Sequence, residues 1–290
     1  MYDLAFPHLN IFIEKLSSGF EIFNFHIAFY GIIVAVGMIC GFYVATYLAK
    51  KSNQNVDNYY DLFMLIIVFA IIGARIYYVI FNLDYYSKNI KEIINIRAGG
   101  LAVYGGVISC FLVCFIFCKI KKLNFFQIID TCIAGLTVGQ VIGRWGNFFN
   151  MEAFGTWTDN IFAMRMKYNL LDKTSVDQKM IDNMLNINNI DYVQAHPTFF
   201  YESAFNLILF IIILLMFFKL YKFYGQIMAT YFIGYGLIRF FVESLRTDSL
   251  YIPNTTIRIS QIVSLFLIII GIVMIIYNVI IKYKILKKNI

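Results

Sequence analysis

Long apolar stretches alternate with short polar segments along most of the chain. Seven of the stretches reach the length of about 20 residues that a helix needs to cross a bilayer. The polar segments between them contain lysines, asparagines and acidic residues, which are typical of membrane surfaces. The pattern predicts an all-α polytopic membrane protein with seven transmembrane helices, at residues 25–49, 61–81, 101–118, 124–145, 199–218, 225–245 and 259–281.

Two further segments accompany these spans. Residues 146–195 form one large polar region with a weak helical pattern near residues 175–185, and we expect it to be a small extracytoplasmic cap. Residues 1–23 are predicted to be a short amphipathic lead on the membrane surface. The whole chain, residues 1–290, is thus expected to be a single integral membrane domain with one inserted cap.

The basic residues predict the orientation of the spans. Short loops rich in Lys and Arg remain in the cytoplasm. When seven helices are counted, the N-terminus lies outside, the C-terminus lies in the cytoplasm and most acidic residues fall outside. The lysines that share the cytoplasmic side are Lys50, Lys51, Lys119, Lys121, Lys122, Lys219, Lys222, Lys282, Lys284, Lys287 and Lys288.

Composition supports the membrane class. The chain is 60% hydrophobic and 14% charged, with a mean hydropathy of +0.72, which a soluble domain would not show. The net charge of +7 is concentrated in particular loops, so it reflects topology. We therefore expect a lipid bilayer as partner and no nucleic acid.

The polar residues within the spans are predicted to meet near one surface. Arg75, Arg144 and Arg239 each lie about fourteen residues or more from the cytoplasmic start of their span, or about 20 Å into the core. Arginines at that depth can bind a phosphate bidentately, which favours a site for an anionic phospholipid of the outer leaflet. The spans that run the other way carry their polar residues early, at Tyr30, Tyr104, His196 and Glu202.

Purely structural explanations remain open for several of these residues. An arginine at a helix end, such as Arg144, also snorkels to the interface without any function. Arg239, Glu243 and Arg246 share one helix face, so Arg239 and Glu243 also fit a structural ion pair. The glycine pairs at 99–100 and 105–106 fit either close helix packing or an unwound segment whose amides face a ligand.

Three motifs carry a family resemblance. Residues 143–152 read GRWGNFFNME, residues 196–202 read HPTFFYE, and residues 235–246 read YGLIRFFVESLR. In order and spacing they resemble the signature segments of the prolipoprotein diacylglyceryl transferases, and the similarity covers about residues 25–282. Residues 29–31, residues 73–75 and the glycine pairs also fit.

The resemblance implies a seven-helix enzyme of the bacterial cytoplasmic membrane with an extracytoplasmic active site. Such an enzyme moves the diacylglyceryl group of phosphatidylglycerol to the thiol of the lipobox cysteine in a prolipoprotein signal peptide. The products are a thioether-linked lipid and glycerol phosphate. The sulfur nucleophile comes from the substrate, and we expect no metal or other cofactor.

The resemblance also assigns functional residues position by position. We expect Arg144 and Arg239 to contact the headgroup phosphate, Asn147 and Asn150 to bind the glycerol moiety, and Arg246 to line the access side. Glu152 and Glu243 are expected to hold the arginines in place. The catalytic set implied is Arg144, Arg239, Tyr104 and Glu243, and the substrate-binding set is Arg144, Asn147, Asn150, Glu152, Arg246, Tyr30, Arg75, His196 and Glu202.

One position departs from the family. Many members have His where this chain has Tyr104, in the step Tyr104-Gly105-Gly106. A neutral phenol is a poor base at neutral pH, although the substrate thiol must lose its proton to react. The base is thus open between Tyr104, His196 and a glutamate, and we expect Tyr104 to act as a hydrogen-bond donor.

Two other functions predict patterns that the sequence lacks. A transporter for a small anion predicts a binding site near the membrane midplane and a repeat of helices. Another phospholipid enzyme predicts either aspartates clustered along one helix, for a metal-dependent head-group transferase, or a Lys/Arg/His pattern, for a phosphatase. The transferase remains the favoured function.

Overall fold

The computed structural model describes residues 2–23, 25–96, 99–253 and 255–288, with side chains as far as residue 281. The four C-terminal lysines used for the orientation therefore lie beyond the described side chains. The chain forms two compact units. One contains the residues up to Tyr43 and those from Ile133 onward, and the other contains Val44–Cys132.

Helices dominate the described residues and lie over all seven predicted segments. Six of them are long and apolar enough to cross a membrane, which identifies a polytopic membrane protein. Helix Gln226–Leu245 is not among the six, because its polar and glycine residues lower its hydropathy. The helices are α1 Phe29–Lys51, α2 Asp57–Ile80, α3 Leu83–Tyr86, α4 Val103–Ile120, α5 Phe125–Phe149, α6 Gln178–Asp182, α7 Thr198–Leu215, α8 Gln226–Leu245 and α9 Ile259–Lys288.

The structure also contains strands that the sequence pattern did not predict. They form a five-stranded antiparallel sheet in the order β2-β1-β5-β7-β6 and a separate hairpin of β3 and β4. Their bounds are β1 Leu4–Phe6, β2 Ile11–Ile13, β3 Gly19–Ile22, β4 Phe25–Ala28, β5 Met164–Lys167, β6 Leu185–Ile187 and β7 Ile190–Ala195.

The strands and the short helix α6 correct three expectations. The first residues are part of the sheet, because Leu4 pairs with Met166. Helix α1 begins at Phe29, since Phe25–Ala28 is a strand. The helical pattern near residues 175–185 yields only the five residues of α6. Strands of three to six residues are too short to show a reliable period, so only their partners reveal them.

The sheet has a hydrophobic core of its own. Its buried residues come both from the N-terminal segment and from the large polar region, so the two segments fold as one layer. The core residues are Leu4, Phe154, Met164, Met166, Leu171, Met180, Val193, Ala195 and Phe199. Because Phe199 is in the first turn of α7, this core also orients the start of that helix.

Glycines allow helices α1 and α5 to approach closely. A Cβ added at Gly41 would lie 2.6 Å from the carbonyl oxygen of Gly135, and one at Gly37 would lie 3.0 Å from that of Gly139. Small residues at helix contacts are the usual way for membrane helices to pack. The contact continues where Tyr30 covers Gly146, whose added Cβ would lie 2.7 Å from the Tyr30 ring.

Candidate functional site

Two arginines and two glutamates from three helices form an ion cluster. Arg144 in α5 has its Nη2 atom 2.5 Å from Oε1 of Glu202 in α7. Arg239 in α8 donates from Nη1 to Oε2 of the same carboxylate at 3.1 Å. The Nη2 atom of Arg239 lies 2.6 Å from Oε2 of Glu243, one helical turn further along α8. Glu202 thus joins the two arginines, which confirms the expectation that Arg144 and Arg239 lie together.

Helical spacing explains how these groups reach one place. Residues four apart share a helix face, and α8 carries a polar stripe at that spacing. On α5 and α7, the residues one turn away from Arg144 and from Glu202 are also polar. The residues in these rows are Tyr231, Tyr235, Arg239 and Glu243 in α8, Gln140 and Arg144 in α5, and Glu202 and Asn206 in α7.

Four members of these rows were missed in the sequence analysis. Tyr235 lies close to Arg144, and its ring stacks on that of Tyr231 with centroids 5.3 Å apart. Gln140 donates from Nε2 to the Tyr231 hydroxyl at 2.8 Å. Asn206 is fully buried, and its side-chain amide has no hydrogen-bond partner among the described residues. The repeat of polar residues at every fourth position was the available signal.

Burial differs between the two kinds of charge in the cluster. The side chains of Glu202 and Glu243 are 2% exposed, whereas those of Arg144 and Arg239 are 23% and 17% exposed. Two guanidinium groups and two carboxylates balance each other in charge. An incoming anion therefore has to compete with Glu202 for the arginines, and it can approach them from their exposed side.

The end of α5 forms a separate group around Glu152. Asn147 and Asn150 donate from their Nδ2 atoms to Oε1 of Glu152, at 2.9 and 3.3 Å. Glu152 was expected to hold the arginines, but these contacts tie it to the asparagines, and Glu202 occupies the position between the arginines. The structure therefore corrects the role of Glu152, because the turn after α5 directs its carboxylate back along its own helix end.

The turn that carries Glu152 is strained on both sides. Met151 has φ +48° and Ala153 has φ +55°, in the left-handed region that costs a residue with a Cβ about 1–2 kcal/mol. Hydrogen bonds to neighbouring elements hold the next residues. Gly155 donates its N–H to the His196 carbonyl at 2.9 Å, and Thr156 donates to the Leu245 carbonyl at 2.8 Å.

His196 lies just before α7, next to two polar side chains. Its Nδ1 atom is 3.3 Å from the Tyr201 hydroxyl and 3.4 Å from Nδ2 of Asn160. Burial lowers the pKa of the His196 imidazole, so the ring is neutral near pH 7. A neutral ring can accept a proton, which keeps His196 among the possible bases.

Arg246 has a partner outside the ion cluster. Its Nε and Nη2 atoms donate to the two carboxylate oxygens of Asp248, at 2.8 and 2.6 Å. Burial would raise the pKa of the Asp248 carboxyl, but the hydrogen bonds and the charge of Arg246 outweigh this effect and hold the pKa below its usual value. The pair is therefore ionised near neutral pH.

Arg75 and Tyr104 belong to the unit formed by residues 44–132. Tyr104 is in the first turn of α4, and its side chain is partly exposed. Arg75 is buried, and its N–H groups donate to the backbone carbonyl oxygens of Glu92, Ile93, Asn95, Gly99 and Gly100, at 2.5–3.1 Å. A guanidinium has five N–H donors, so these bonds occupy all of them. Arg75 therefore supports the segment before α4, and it has no N–H group left for the phosphate that it was expected to bind.

The two glycine pairs have different structural roles: one lies in an unwound segment, and the other lies at a close helix contact. Gly99 and Gly100 have φ +86° and +73°, outside any helix, and there the backbone wraps around Arg75. Gly105 is within α4, where an added Cβ would lie 3.1 Å from Cα of Ala74 in α2. The first pair thus allows an unwound segment, and Gly105 allows close helix packing.

Replacing Arg75 with lysine should destabilise this unit. A single ammonium group cannot reach carbonyls on both sides of the planar guanidinium, and several hydrogen bonds to a charged group are lost. We expect at least about 2 kcal/mol of lost stability and faster trypsin cleavage near Lys88 and Lys91. The control is Lys121→Met, which removes the exposed pair with Asp61 and should change little. Equal unfolding temperatures for both variants would refute the structural role of Arg75.

Comparisons with known proteins all give the same family. The family model described as prolipoprotein diacylglyceryl transferase matches residues 18–277. The chain is 44% identical over 255 residues to a phosphatidylglycerol–prolipoprotein diacylglyceryl transferase of Finegoldia magna, covering 88% of this chain and 92% of the relative. It is 42% identical over 258 residues to the corresponding transferase 1 of Clostridium perfringens, with coverage of 89% and 92%. A Clostridioides difficile transferase is 39% identical over 258 residues, with coverage of 89% and 93%.

Proposed function

The chain belongs to the prolipoprotein diacylglyceryl transferase family, and we propose that it moves a diacylglyceryl group from phosphatidylglycerol to a prolipoprotein cysteine. The acceptor is the thiol of the lipobox cysteine in the signal peptide. The products are a thioether-linked lipid and glycerol phosphate, as in the first step of bacterial lipoprotein maturation. The observation that carries this function is the pair Arg144 and Arg239 on the buried carboxylate of Glu202.

The proposal includes a topology of seven spans in one integral membrane domain. Helix α8 supplies the seventh span, because it packs against α7 and α9 and turns its charged stripe towards other helices. Polar groups are tolerated in a membrane helix when they face protein. The basic loops then put the N-terminus outside the bacterial cytoplasmic membrane and the C-terminus inside. Residues 146–195 form an extracytoplasmic cap, on the same side as the active site.

The chemistry is a displacement at carbon. The thiol proton passes to a base, which is Tyr104, His196 or a glutamate, and the thiolate sulfur attacks the glyceryl carbon that bears the phosphate ester, so that a C–S bond forms and the C–O bond breaks. Its electron pair passes to the phosphate oxygen, which leaves as glycerol phosphate. Arg144 and Arg239 stabilise this transition state more than the ground state, because negative charge grows on the departing phosphate.

The buried glutamates make the arginines rigid before the substrate arrives. Glu202 holds both guanidinium groups and Glu243 holds Arg239 from the other side. Preorganised charges need no rearrangement when the reaction charge develops, which is the main source of electrostatic catalysis. Tyr235 adds a hydroxyl beside Arg144, within the same group.

The group at the end of α5 suits the glycerol hydroxyls of the headgroup. Glu152 accepts hydrogen bonds, while Asn147 and Asn150 can both donate and accept them. Tyr30 lies against Gly146 in the same helix end and closes this side. Arg246 remains on the access side, where its pair with Asp248 leaves it away from the reacting phosphate.

Replacing Tyr104 with phenylalanine should leave most of the transferase activity. If the hydroxyl only donates a hydrogen bond, its removal costs about 1 kcal/mol, so kcat/KM falls by no more than about tenfold. Steady-state transfer to a lipobox peptide measures this ratio. A loss of several orders of magnitude, with unchanged unfolding temperature, would instead make Tyr104 the base and remove His196 and the glutamates from consideration.

One experiment tests the function directly. The purified protein is incubated with phosphatidylglycerol and a peptide that contains a lipobox cysteine, and the peptide mass is followed. We expect a gain equal to one diacylglyceryl group on the cysteine, with glycerol phosphate released in equal amount. A peptide with serine in place of cysteine and a reaction with phosphatidylethanolamine serve as controls. A folded protein that transfers nothing from phosphatidylglycerol would overturn the proposal.

A further inference from the structure

The hairpin of β3 and β4 is amphipathic. Its register pairs Phe20 with Ile27, Glu21 with His26, and Ile22 with Phe25. Side chains alternate between the two faces of a strand, and directly paired residues share a face. One face of the hairpin therefore carries the four large apolar residues, Phe20, Ile22, Phe25 and Ile27. The opposite face carries Gly19, Glu21, His26 and Ala28.

Three of the four apolar residues of this face are exposed, and the fourth, Ile27, is half-buried. Phe20 and Ile22 are 40% and 43% exposed, Phe25 is 76% exposed, and Phe23 at the turn is 93% exposed. Phe23 also has φ +48°, which is unusual for a residue with a side chain. A two-stranded hairpin is marginally stable at best in water, and a continuous apolar surface of this kind marks an interaction site.

The position of the hairpin identifies what covers this face. Strand β4 ends at Ala28 and α1, a candidate membrane span, begins at the next residue. Ser18, the residue before β3, is also held at the start of α1, because the N–H of Phe29 donates to the Ser18 carbonyl at 2.8 Å. A strand of four residues is about 13 Å long, so the whole hairpin remains within reach of the end of the span.

We propose that the hairpin is embedded in the membrane interface, with Phe20, Ile22, Phe25 and Ile27 against the lipid chains. Glu21 and His26 then face the headgroups and water. Phenylalanine and large aliphatic residues are typical of the buried face of amphipathic segments that lie in the bilayer interface. The hairpin leads directly into α1, a candidate span that itself exposes apolar side chains such as Ile32, Val36 and Ile39, and this adjacency favours lipid over a protein partner. The inference rests on the membrane setting of the proposed function but not on its chemistry.

This placement links the lipid surface to the candidate site. Phe29 contacts Phe20 with ring centroids 5.7 Å apart, and it contacts Phe149 with centroids 5.1 Å apart. Phe149 is the last residue of α5, next to Asn150 and the turn with Glu152. An embedded hairpin thus sets the depth at which a lipid headgroup meets the end of α5.

Tryptophan reporters on adjacent residues of opposite faces test the placement. Phe25→Trp reports on the apolar face, and His26→Trp is the matched control on the polar face. The full-length protein is reconstituted in vesicles of phosphatidylglycerol and phosphatidylethanolamine with brominated acyl chains, and the signal of Trp145 and Trp157 in the unmodified protein is subtracted. We expect bromine to quench Phe25→Trp at least about twofold more than His26→Trp, and aqueous iodide to show the reverse order.

Other results would overturn the embedded hairpin. Equal quenching of both reporters by iodide would place both faces in water. If the apolar face binds the signal peptide instead, Phe25→Trp will be quenched by iodide in vesicles and will be protected only when a lipobox peptide is added. A second apolar reporter, Ile22→Trp, guards against misfolding of a single variant. The readout is depth and not turnover, so it can succeed or fail independently of the transferase assay.

Discussion

Replacing Arg144 or Arg239 with alanine is expected to reduce diacylglyceryl transfer by at least about 10²-fold each. Each substitution removes a cation that is held on Glu202 before the substrate binds and that we propose acts on the departing phosphate. The peptide mass assay measures the loss under single-turnover conditions. The loss should appear in the chemical step as well as in binding, because the charge on the phosphate grows in the transition state.

A matched arginine separates loss of function from loss of fold. Arg165 in β5 is also partly buried and hydrogen-bonded, with Nε and Nη2 at 3.3 and 3.2 Å from Oε1 of Gln194. We expect Arg165→Ala to lower the unfolding temperature without a comparable loss of transfer per folded molecule. If both Arg144→Ala and Arg239→Ala kept full activity, the headgroup assignment would be wrong.

Replacing Glu202 with glutamine should destabilise the protein by about 3–5 kcal/mol. The glutamine has nearly the same shape, but it leaves two guanidinium groups in a largely buried place with only Glu243 to balance them. Removing one partner of a buried ion pair is strongly destabilising, because the other charge stays buried without a partner. Thermal unfolding in detergent, compared with the unmodified protein, measures the effect.

Added anions provide a second readout for the Glu202→Gln variant. Without the carboxylate, the arginines form an open anion site, so inorganic phosphate should raise the unfolding temperature of the variant more than that of the unmodified protein. The control for stability is Glu152→Gln, because Glu152 is exposed and hydrogen-bonds only to asparagines among the described contacts. An unfolding temperature for Glu202→Gln equal to that of the unmodified protein would contradict the central role of this carboxylate.

The main features of the helical region could be predicted because they are local or short-range. A run of about 20 apolar residues is enough to identify a candidate membrane helix, so the six helices long and apolar enough to cross a membrane were all predicted, and a helix also lies over the seventh predicted segment. The pair of Arg239 and Glu243 follows from their spacing of four residues on one helix. The meeting of Arg144 with Arg239 followed from their similar depth in two spans, which is a weaker argument that the structure confirms.

The partners of the charges could not be predicted from the same information. Several carboxylates were available to the arginines, and Glu202 takes the place that was expected for Glu152. Arg75 has the depth of a binding residue, but its donors bind the backbone of the segment before α4. In both cases the outcome depends on which face of a helix packs against which neighbour.

The amino-acid sequence by itself determined the membrane class, the helical segments and the family, since each depends on the order of residues along the chain. Only the tertiary structure decided that Glu202 joins the arginines, that Arg75 supports a loop, and that the N-terminal residues complete a sheet with residues 164–195. Hydrophobic length and helical period act over a few turns, and they are visible in any stretch of sequence. Ion pairs between helices and pairing between distant strands depend on packing, which brings together residues that are far apart in the chain.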